Sequence, residues 1–452
     1  MTPFAKLESA INASLAETPT NVAGNANKLA RMQSLMSALG NPEKSLKILH
    51  IAGTSGKTST CYFAASLLTQ AGYKTGLTIS PHIDSVRERA QINLQPLSEP
   101  DWIQHMQKFF TLVKKSKVKP SYFEFHLAFA FWLFAQQKVD YVVLETGLGG
   151  TWDGSNVARE PDKICLITDI GYDHTEILGD TLEEITSNKA GIIHQHNNAY
   201  TYPKSPEILS VIQDRVMYMH SKLHIIPDLT KNFMARNFNL ARHAVAFALE
   251  RDHHASLTKT QIQAARQILI PARAEELIYE NHQIIIDGSH NPQKLTAFKL
   301  YLDQRYPSKN RTLIATLGSN KSATLGDSMK ILRQISDSII LTSFKDDSLE
   351  TNKRTSLDKK TLYQAAQTAG FKTIRYIHDP QAALQTALHQ PPSSKRPAPH
   401  PQIVITGSFY LLNHLRPLLF PPTPNQPQST TTGGSGITIS SSSSAHPPLT
   451  PL

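Results

Sequence analysis

The sequence contains little cysteine and no long hydrophobic run. Only two of its 452 residues are cysteines, Cys61 and Cys165, too few for a disulfide framework and without the spacing of a metal-binding motif. The most apolar run, residues 125–135, is too short to span a bilayer about 30 Å thick as a helix. The N-terminus also lacks a basic segment followed by an apolar one, so no secretory signal is predicted. We expect a soluble, cytoplasmic protein without a membrane partner.

Charged residues are also sparse, at 18% of the chain, but their balance is basic. The 46 Lys and Arg residues exceed the 36 Asp and Glu residues, which gives a formal net charge of +10. A nucleic-acid binder would concentrate such charge in a dense stripe or patch. The densest clusters here, at 114–117 and 395–396, are short and far apart in the sequence. A solvated basic surface explains them better, and we expect no nucleic-acid partner.

Two segments have the composition of irregular chain. Residues 421–452 contain no charged residue, seven prolines and a run of five serines. Such a segment buries too little apolar surface to offset the entropy of ordering, so we predict a disordered tail. Residues 391–401 are rich in proline and predict a long surface loop.

Elsewhere, short apolar runs rich in β-formers alternate with helical patterns. This alternation is typical of an α/β protein with doubly wound sheets, because helices on both faces of a parallel sheet leave its strands no polar side. The pattern restarts after Pro271, which predicts two domains, residues 1–270 and 271–420. The predicted strands are Lys47–Ala52, Thr75–Ile79, Tyr141–Glu145, Ile164–Thr168, Ile284–Asp287, Thr312–Leu317, Ser338–Thr342 and Ile403–Thr406.

A candidate phosphate loop follows the first predicted strand directly. Glycines let backbone N–H groups approach phosphates, and the N-terminus of the following helix adds positive potential. A lysine balances the β/γ-phosphate charge, and a hydroxyl can reach Mg²⁺. The strict motif would also have a glycine at position 51, where this chain has Ile51. The context of strand, loop and helix nevertheless predicts nucleotide binding by Gly53, Thr54, Ser55, Gly56, Lys57, Thr58 and Ser59.

Polar residues follow three further predicted strands. Ser80, Glu145 and His174 lie at or just past their carboxyl ends, where open α/β sheets bind ligands. Oxygen donors such as Ser80 and Glu145 suit Mg²⁺, whereas a histidine ligand is less typical. Each residue alone has an ordinary structural explanation, as a cap, an ion-pair partner or a loop residue. Three such strand ends beside one phosphate loop predict a convergent site.

Taken together, these motifs resemble the folylpolyglutamate synthase and dihydrofolate synthase family of the Mur ligase superfamily. The resemblance runs in consistent order over about residues 20–420. It implies a phosphate-loop-containing, Mur ligase-like ATPase domain with a parallel sheet, followed by a smaller Rossmann-like α/β domain for glutamate ligation. Besides the phosphate loop, it rests on residues 28–36, Ser-Pro-His-Ile at 80–83, the block 123–153, Lys-Ala-Gly-Ile at 189–192, Asp-Gly-Ser-His-Asn-Pro at 287–292 and Thr-Gly-Ser-Phe-Tyr at 406–410.

The resemblance implies an ATP-dependent ligase that forms a C–N bond. A free carboxylate is a poor electrophile, so ATP would phosphorylate a pterin or folate carboxylate, and the amine of L-glutamate would attack the acyl phosphate. The acceptor would be dihydropteroate, a reduced folate, or both. We expect ATP, Mg²⁺, L-glutamate and this acceptor as small-molecule partners of a monomer.

The resemblance also implies roles for individual residues. The segment from Gly53 to Ser59 would hold the ATP phosphates, with Lys57 also in a catalytic role. Lys189 matches a catalytic lysine that is carbamylated in relatives. The other implied residues are Ser80, Glu145 and His174 for magnesium, Arg273 and Asp287 for ATP, His290 for catalysis, and Arg31, Ser121, Asp153 and Ser408 for the substrates.

Several positions depart from the family pattern. In the phosphate loop, Ser55 stands where the family usually has asparagine and Thr58 where it has glycine. Elsewhere, Thr151 stands where the family has arginine, Arg242 where it has asparagine, and Asn188 where it has an acidic residue. With a threonine at position 58, the loop is similar to that of the peptidoglycan Mur ligases. A ligase that acts on a UDP-linked peptidoglycan precursor is therefore one alternative. That enzyme would need a separate UDP-binding domain, and only about 45 residues precede the first strand. A non-catalytic relative that binds nucleotides or polyanions is the other alternative, given the net charge and the altered Thr151 and Arg242.

Overall fold

The structure is a computed structural model of the chain. It describes residues 1–16, 25–228, 230, 232–308, 311–346, 354–389 and 402–420. All eight predicted strands lie within these ranges, and each is present to within two residues at either end. The loop predicted at 391–401 and the tail predicted at 421–452 lie outside the described residues.

Eight strands between residues 48 and 225 form one sheet at the centre of residues 1–270, which we call the N-terminal unit. They are β1 (Ile48–Ala52), β2 (Thr75–Thr78), β3 (Gln91–Ile92), β4 (Gln95–Pro96), β5 (Tyr141–Glu145), β6 (Ile164–Ile167), β7 (Asn198–Thr201) and β8 (Lys222–Ile225). Their order is β4-β3-β2-β5-β1-β6-β7-β8, and only the pairs made by β3 are antiparallel. β1 lies in the middle and is buried along its whole length, as its sequence, apolar except for His50, predicts.

We call residues 271–420 the C-terminal unit, and six strands form a second sheet in its described residues. They are β9 (Glu275–Tyr279), β10 (His282–Ile286), β11 (Arg311–Ala315), β12 (Ser338–Leu341), β15 (Thr373–Tyr376) and β16 (Gln402–Thr406), with a separate ribbon of β13 (Lys345–Asp346) and β14 (Arg354–Thr355). The sheet order is β15-β12-β11-β16-β10-β9, parallel except for β9. The predicted division near residue 270 falls between the last strand of the first sheet and the first strand of the second.

Helices cover both sheets. Those of the N-terminal unit are α1 (Pro3–Leu15), α2 (Asn25–Ala38), α3 (Lys57–Gln70), α4 (Glu99–Ser116), α5 (Tyr122–Gln136), α6 (Thr175–Leu178), α7 (Leu182–Ala190), α8 (Pro206–Tyr218), α9 (Phe233–Arg251) and α10 (Lys259–Arg266). Those of the C-terminal unit are α11 (Pro292–Arg305), α12 (Leu325–Ile335), α13 (Lys359–Thr368), α14 (Pro380–Leu388) and α15 (Phe409–Leu419).

The most apolar run of the chain belongs to α5. A capping box starts this helix: the Glu124 N–H donates to the Ser121 hydroxyl, and the Ser121 N–H donates to the Glu124 carboxylate. Nearly every residue from Tyr122 to Phe134 is buried, so the run forms a core helix. Among the described residues, no helix is both long enough and apolar enough to cross a membrane.

Four strands of ordinary length are absent from the predicted set: β7, β8, β9 and β15. Three of them are edge strands, with β8 at one end of the first sheet and β9 and β15 at the two ends of the second. An edge strand is paired on one side only and is partly exposed, so its sequence needs no continuous apolar run. β8 shows this, because Lys222 and Ile225 are both exposed.

Contacts between the two units lie close to the carboxyl ends of both sheets. Ile83, in the loop after β2, is buried in the apolar core of the C-terminal unit. Its neighbour Asp84 forms an ion pair with Arg416 on α15. On the other side of the interface, Asp173 pairs with Lys294 on α11. The fold therefore places the strand ends of both units against one another.

Candidate active site

The phosphate loop connects β1 to α3 and depends on its glycines. Gly56 has a φ of +85°, and a Cβ there would lie 2.8 Å from the side-chain nitrogen of Asn237. A Cβ on Gly53 would lie only 1.9 Å from the Thr168 hydroxyl. No described side chain caps the N-terminus of α3 at Gly56. The first N–H groups of this helix are therefore available to an anion.

Two lysines meet the loop at one carbonyl. The Lys57 ammonium donates to the Gly53 carbonyl at 3.1 Å, and the Lys189 ammonium donates to the same oxygen at 3.2 Å. Burial, together with the nearby charge of Lys57, lowers the pKa of Lys189 to about 7. The α7 lysine predicted to be carbamylated thus lies beside the phosphate loop, with a substantial neutral fraction near neutral pH.

Glu145, at the carboxyl end of β5, links the loop to the segment after β2. Its carboxylate accepts from the Thr58 hydroxyl at 2.8 Å and from the Ser80 N–H at 3.2 Å. Burial raises the pKa of Glu145, while the Lys57 charge and the Thr58 hydrogen bond oppose that rise. The structure therefore brings together Glu145, Ser80 and the loop, as the strand-end argument predicts.

The chemistry of these donors suits Mg²⁺ with few protein ligands. The described residues contain no cluster of three or more His, Cys, Asp and Glu side chains arranged to hold a metal. Mg²⁺ is commonly held by one or two protein oxygens together with phosphate and water. Glu145 and Ser80 beside the phosphate loop fit that pattern. His174 lines the same cavity, and burial lowers its pKa to about 4, so its imidazole is neutral at pH 7.

The C-terminal unit contributes Arg273 through a strained turn. Ala272 and Ala274, on either side of it, have φ values of +55° and +47°, in the left-handed region that non-glycine residues rarely occupy. The Arg273 guanidinium stacks over the Phe409 ring at 4.4 Å and donates to the Thr58 hydroxyl at 3.0 Å. This turn therefore carries a cation from one unit into the phosphate loop of the other.

Asp287, after β10, holds that turn in place. Its carboxylate accepts from the N–H groups of Ala274 at 2.9 Å and Ser289 at 2.8 Å, and from the Ser289 hydroxyl at 2.5 Å. Ser408 caps α15, and its hydroxyl accepts from the Tyr410 N–H at 3.1 Å. Asp287 and Ser408 both line the cavity that contains the phosphate loop, which we call the first cavity.

Asp173 connects this cavity to α11. Its carboxylate accepts from Lys294 at 3.2 Å, from Lys321 at 2.8 Å and from the Asn291 amide at 3.0 Å. Lys294 also donates to Nε2 of His290 at 3.1 Å. Burial and the Lys294 charge keep the pKa of His290 well below its usual value, so this imidazole is neutral.

A second cavity adjoins the first and contains the other predicted substrate residues. Arg31, Ser121 and Asp153 line it together with the aromatic side chains of Phe123 and Trp152. Arg31 is already engaged, because its guanidinium makes two hydrogen bonds to Glu124 at 2.6 and 2.8 Å.

Asp153 accepts from the Leu148 N–H at 2.8 Å, from the Ser155 N–H at 2.9 Å and from the Ser155 hydroxyl. The predicted site residues thus line two neighbouring cavities, with both units lining the first, except that Gly53 and Lys189 line neither.

Two of the residues that depart from the family pattern, Thr151 and Arg242, lie in different parts of the N-terminal unit. Thr151 donates twice to the Asn188 carbonyl, from its N–H at 2.8 Å and its hydroxyl at 2.9 Å. Arg242 lines an outer groove, separate from both cavities, where it donates to the Asn239 side chain at 3.1 Å. On the same helix, Asn237 faces inward instead, because five residues correspond to about 140° of helical rotation.

Sequence reasoning missed Asn237, Lys294, Lys321 and Arg354. The Asn237 side chain is 1% exposed and lies against Gly56, yet neither its amide nitrogen nor its amide oxygen has a hydrogen-bond partner among the described residues. Only Lys294 had a usable signal, since it lies four residues after His290, in the first turn of α11 after the Asn291 N-cap. Lys321 and Arg354 reach the cavities, and Asn237 reaches the phosphate loop, through contacts between segments far apart in the chain.

Comparisons with known proteins agree across the chain. Residues 51–250 match the Mur ligase middle domain, and residues 271–418 match the dihydrofolate synthetase C-terminal domain. The dihydrofolate synthase/folylpolyglutamate synthase of Bacillus subtilis is 30% identical over 424 residues, covering 86% of this chain and 94% of that protein. The dihydrofolate synthetase of Saccharomyces cerevisiae is 28% identical over 422 residues, covering 86% and 96%.

Solved structures match over a similar extent. Mycobacterium tuberculosis folylpolyglutamate synthase, complexed with ADP and AMPPCP, matches with a TM-score of 0.80 at 24% identity, covering 94% of this chain and 100% of that one. E. coli FolC, in complex with DHPP and ADP, matches with a TM-score of 0.75 at 22% identity, covering 92% and 98%. These matches confirm the predicted fold class, a Mur ligase-like unit followed by a smaller α/β unit.

Proposed function

The chain belongs to the dihydrofolate synthase/folylpolyglutamate synthase family, and from that membership we propose that it uses ATP to ligate L-glutamate to a pterin or folate carboxylate. The observation that carries this proposal is the meeting of the two cavities at Ser80, Gly147 and His174. One cavity contains a phosphate loop, and the other has aromatic walls. An acceptor in the second cavity could therefore present its carboxylate to the terminal phosphate of ATP in the first.

The phosphate loop supports the binding of ATP. Its glycines and the uncapped N-terminus of α3 suit phosphate oxygens, and Lys57 supplies positive charge. Arg273 brings a second cation to Thr58 from the C-terminal unit. We propose that Ser80, Glu145 and His174 surround Mg²⁺, which would neutralise phosphate charge when bound.

Lys189 suits the predicted carbamylation. Its pKa of about 7 leaves a neutral amine at neutral pH, and a neutral amine is the form that attacks carbon dioxide. The resulting carbamate would place a negative charge near the Gly53 carbonyl and the phosphate loop. We propose this state for the active enzyme.

The second cavity suits a pterin ring. Phe123 and Trp152 supply apolar ring faces, and Asp153 supplies a buried carboxylate that can accept from ring N–H groups. In the C-terminal unit, the Nδ1–H of His290 donates to the Gly288 carbonyl at 2.8 Å, so Nε2 keeps its lone pair. Nε2 accepts from the Lys294 ammonium at 3.1 Å, so we propose that His290 and Lys294 together position the incoming glutamate for attack by its amine.

The proposal divides the work between the units. Residues 1–270 would bind ATP and the acceptor, and residues 271–420 would bind glutamate through His290 and Ser408. The peptidoglycan alternative rested on Thr58, but the Thr58 hydroxyl bonds to Glu145 and Arg273, so this departure has a role within the proposed site.

Two buried free thiols, Cys61 and Cys165, suit the reducing cytoplasm that we propose as the compartment of a monomeric enzyme.

The test offers each acceptor separately to purified protein with ATP, Mg²⁺ and L-glutamate. We expect phosphate release with dihydropteroate, a reduced folate, or both, and a product heavier by one glutamyl residue by mass spectrometry. The Lys57→Gln variant is the matched control and should release no phosphate. Failure with both acceptors would contradict the proposal. Salt-dependent retention on nucleic acid without ligation would then favour the non-catalytic alternative.

A further inference from the structure

One cation lies where the two cavities join. The residues that line both cavities are Ser80, Pro81, Gly147, His174, Arg354 and Tyr410. Arg354 is the only Lys or Arg among them in the described part of the chain. It belongs to β14 of the C-terminal unit, so the C-terminal unit places this side chain at the entrance to the aromatic cavity of the N-terminal unit.

The other arginines and lysines of the first cavity already have partners. Lys57 donates to the Gly53 carbonyl and Arg273 to Thr58, while Lys294 and Lys321 both pair with Asp173. In the second cavity, Arg31 pairs with Glu124, while Lys28 lines that cavity alone and does not reach the first. The Arg354 guanidinium, by contrast, makes no hydrogen bond or ion pair within the described residues. Its donors are therefore available to a ligand.

A guanidinium with free donors is suited to a carboxylate, which it can bind through two parallel hydrogen bonds. On the function proposed above, the reacting carboxylate of the acceptor must lie near the phosphate loop. Dihydropteroate has only that carboxylate. A reduced folate also has the α-carboxylate of its terminal glutamate, a few bonds away from the reacting γ-carboxylate. A cation at the junction would lie close to that second group.

We infer that Arg354 binds the α-carboxylate of the terminal glutamate of a folate acceptor and thereby selects folates over acceptors with a single carboxylate. The incoming glutamate has other candidate partners, since His290, Lys294, Lys321 and Ser408 line the first cavity and not the second. Arg354 reaches both cavities, which fits a contact with the acceptor. It is a specificity-determining residue in this scheme and takes no part in phosphoryl transfer.

The experiment compares Arg354→Gln and Arg354→Lys with wild type on three acceptors. These are dihydropteroate, tetrahydrofolate monoglutamate, and the same folate with an α-carboxamide in place of its α-carboxylate. Arg375→Gln is the matched control, because Arg375 is exposed on β15 and lines neither cavity. Circular dichroism and thermal melting of each variant establish that it is folded.

We expect Arg354→Gln to raise the KM for tetrahydrofolate about 10- to 100-fold, the loss typical of one charged hydrogen-bonding partner. The KM values for dihydropteroate and L-glutamate should stay within about twofold, because a site without a lost contact changes little. The KM of wild type for the α-carboxamide should be as high as the KM of Arg354→Gln for tetrahydrofolate. Arg354→Gln should have similar KM values for tetrahydrofolate and for its α-carboxamide. Arg354→Lys should recover part of the loss.

Other outcomes separate this inference from the proposed function. A raised KM for L-glutamate with both acceptors would assign Arg354 to the incoming amino acid and overturn the inference. An unchanged KM of Arg354→Gln for tetrahydrofolate would also overturn the inference. So would a wild-type enzyme that uses only dihydropteroate as its acceptor. In both cases the ligase function would stand. Absence of turnover with every acceptor would contradict the ligase function itself.

Discussion

The Arg273 guanidinium of the C-terminal unit donates a hydrogen bond to the Thr58 hydroxyl of the phosphate loop at 3.0 Å. Thr58 in turn donates to Glu145 at 2.8 Å. A continuous chain of hydrogen bonds thus runs from one unit, through the loop, to the carboxylate proposed to hold Mg²⁺. Formation of the site therefore depends on how the two units pack together.

Thr58 provides a direct test of that chain of bonds. We expect Thr58→Ala to lower kcat/KM for ATP by about 10- to 100-fold, because both Glu145 and Arg273 lose a partner in a buried site. Thr58→Ser keeps the hydroxyl and should stay within about threefold of wild type. Steady-state phosphate release measures both variants. Equal activity of the alanine and serine variants would contradict the role given to the hydroxyl.

Asn237 has a buried amide for which the described residues supply no hydrogen-bond partner, which indicates a role in ligand binding. We expect Asn237→Ala to weaken ADP binding about 10-fold by calorimetry, since an amide that bonds a phosphate or ribose oxygen would be lost. The melting temperature without nucleotide should not fall, because the amide makes no hydrogen bond in the described structure. Asn239→Ala, on the outer face of the same helix, is the control. Unchanged ADP affinity in Asn237→Ala would show that the amide does not contact the nucleotide.

Asp173 should stabilise the contact between the units. Asp173→Asn leaves Lys294 and Lys321 without their counter-charge, which we expect to cost about 3 kcal/mol of unfolding free energy. These cations hold the pKa of Asp173 far below its usual range, despite its burial. The unfolded chain therefore binds more protons than the folded chain below the unfolded pKa of about 3.9, so stability should fall as the pH decreases from there.

Denaturant unfolding of Asp173→Asn as a function of pH measures that effect. The loss of stability on acidification should be smaller in this variant than in wild type. Asp180→Asn is the control, because Asp180 is exposed and its substitution should change stability by no more than about 0.5 kcal/mol. Equal stability of the two variants would show that the Asp173 cluster does not stabilise the fold.

Lys189 should carry a carbamate whose population depends on pH. Its pKa of about 7 means that the neutral amine predominates above pH 7 and is lost below it. We expect a carbamate signal in ¹³C NMR with labelled bicarbonate, increasing as the pH rises through about 7. The signal should be absent from Lys189→Gln and retained in Lys299→Gln, which removes only a surface ion pair with Asp303. Retention of the signal in Lys189→Gln would assign it to another lysine.

The predictable part of the fold is the part whose strands are buried on both faces. β1, β5, β6 and β16 are mostly apolar because helices cover both sides of the sheet, so their sequences reveal them. The polar residues are His50 inside β1 and those at the ends of β5 and β16. β8, β9 and β15 lie at sheet edges, where partial exposure permits polar residues and removes that signal. The boundaries of the strands that were predicted differ by at most two residues.

The sequence alone determined the position of the phosphate loop and the convergence of Ser80, Glu145 and His174 beside it. This was possible because carboxyl ends of parallel strands meet at one edge of a sheet, which is a local rule of chain direction. Tertiary structure decided the rest. Asp173 meets Lys294 and Lys321 across more than 100 residues of chain. The position of Asn237 against Gly56 depends on how α9 packs on α3 within the N-terminal unit. The place of Arg354 between the cavities depends on the packing of the two units, and no local pattern encodes either contact.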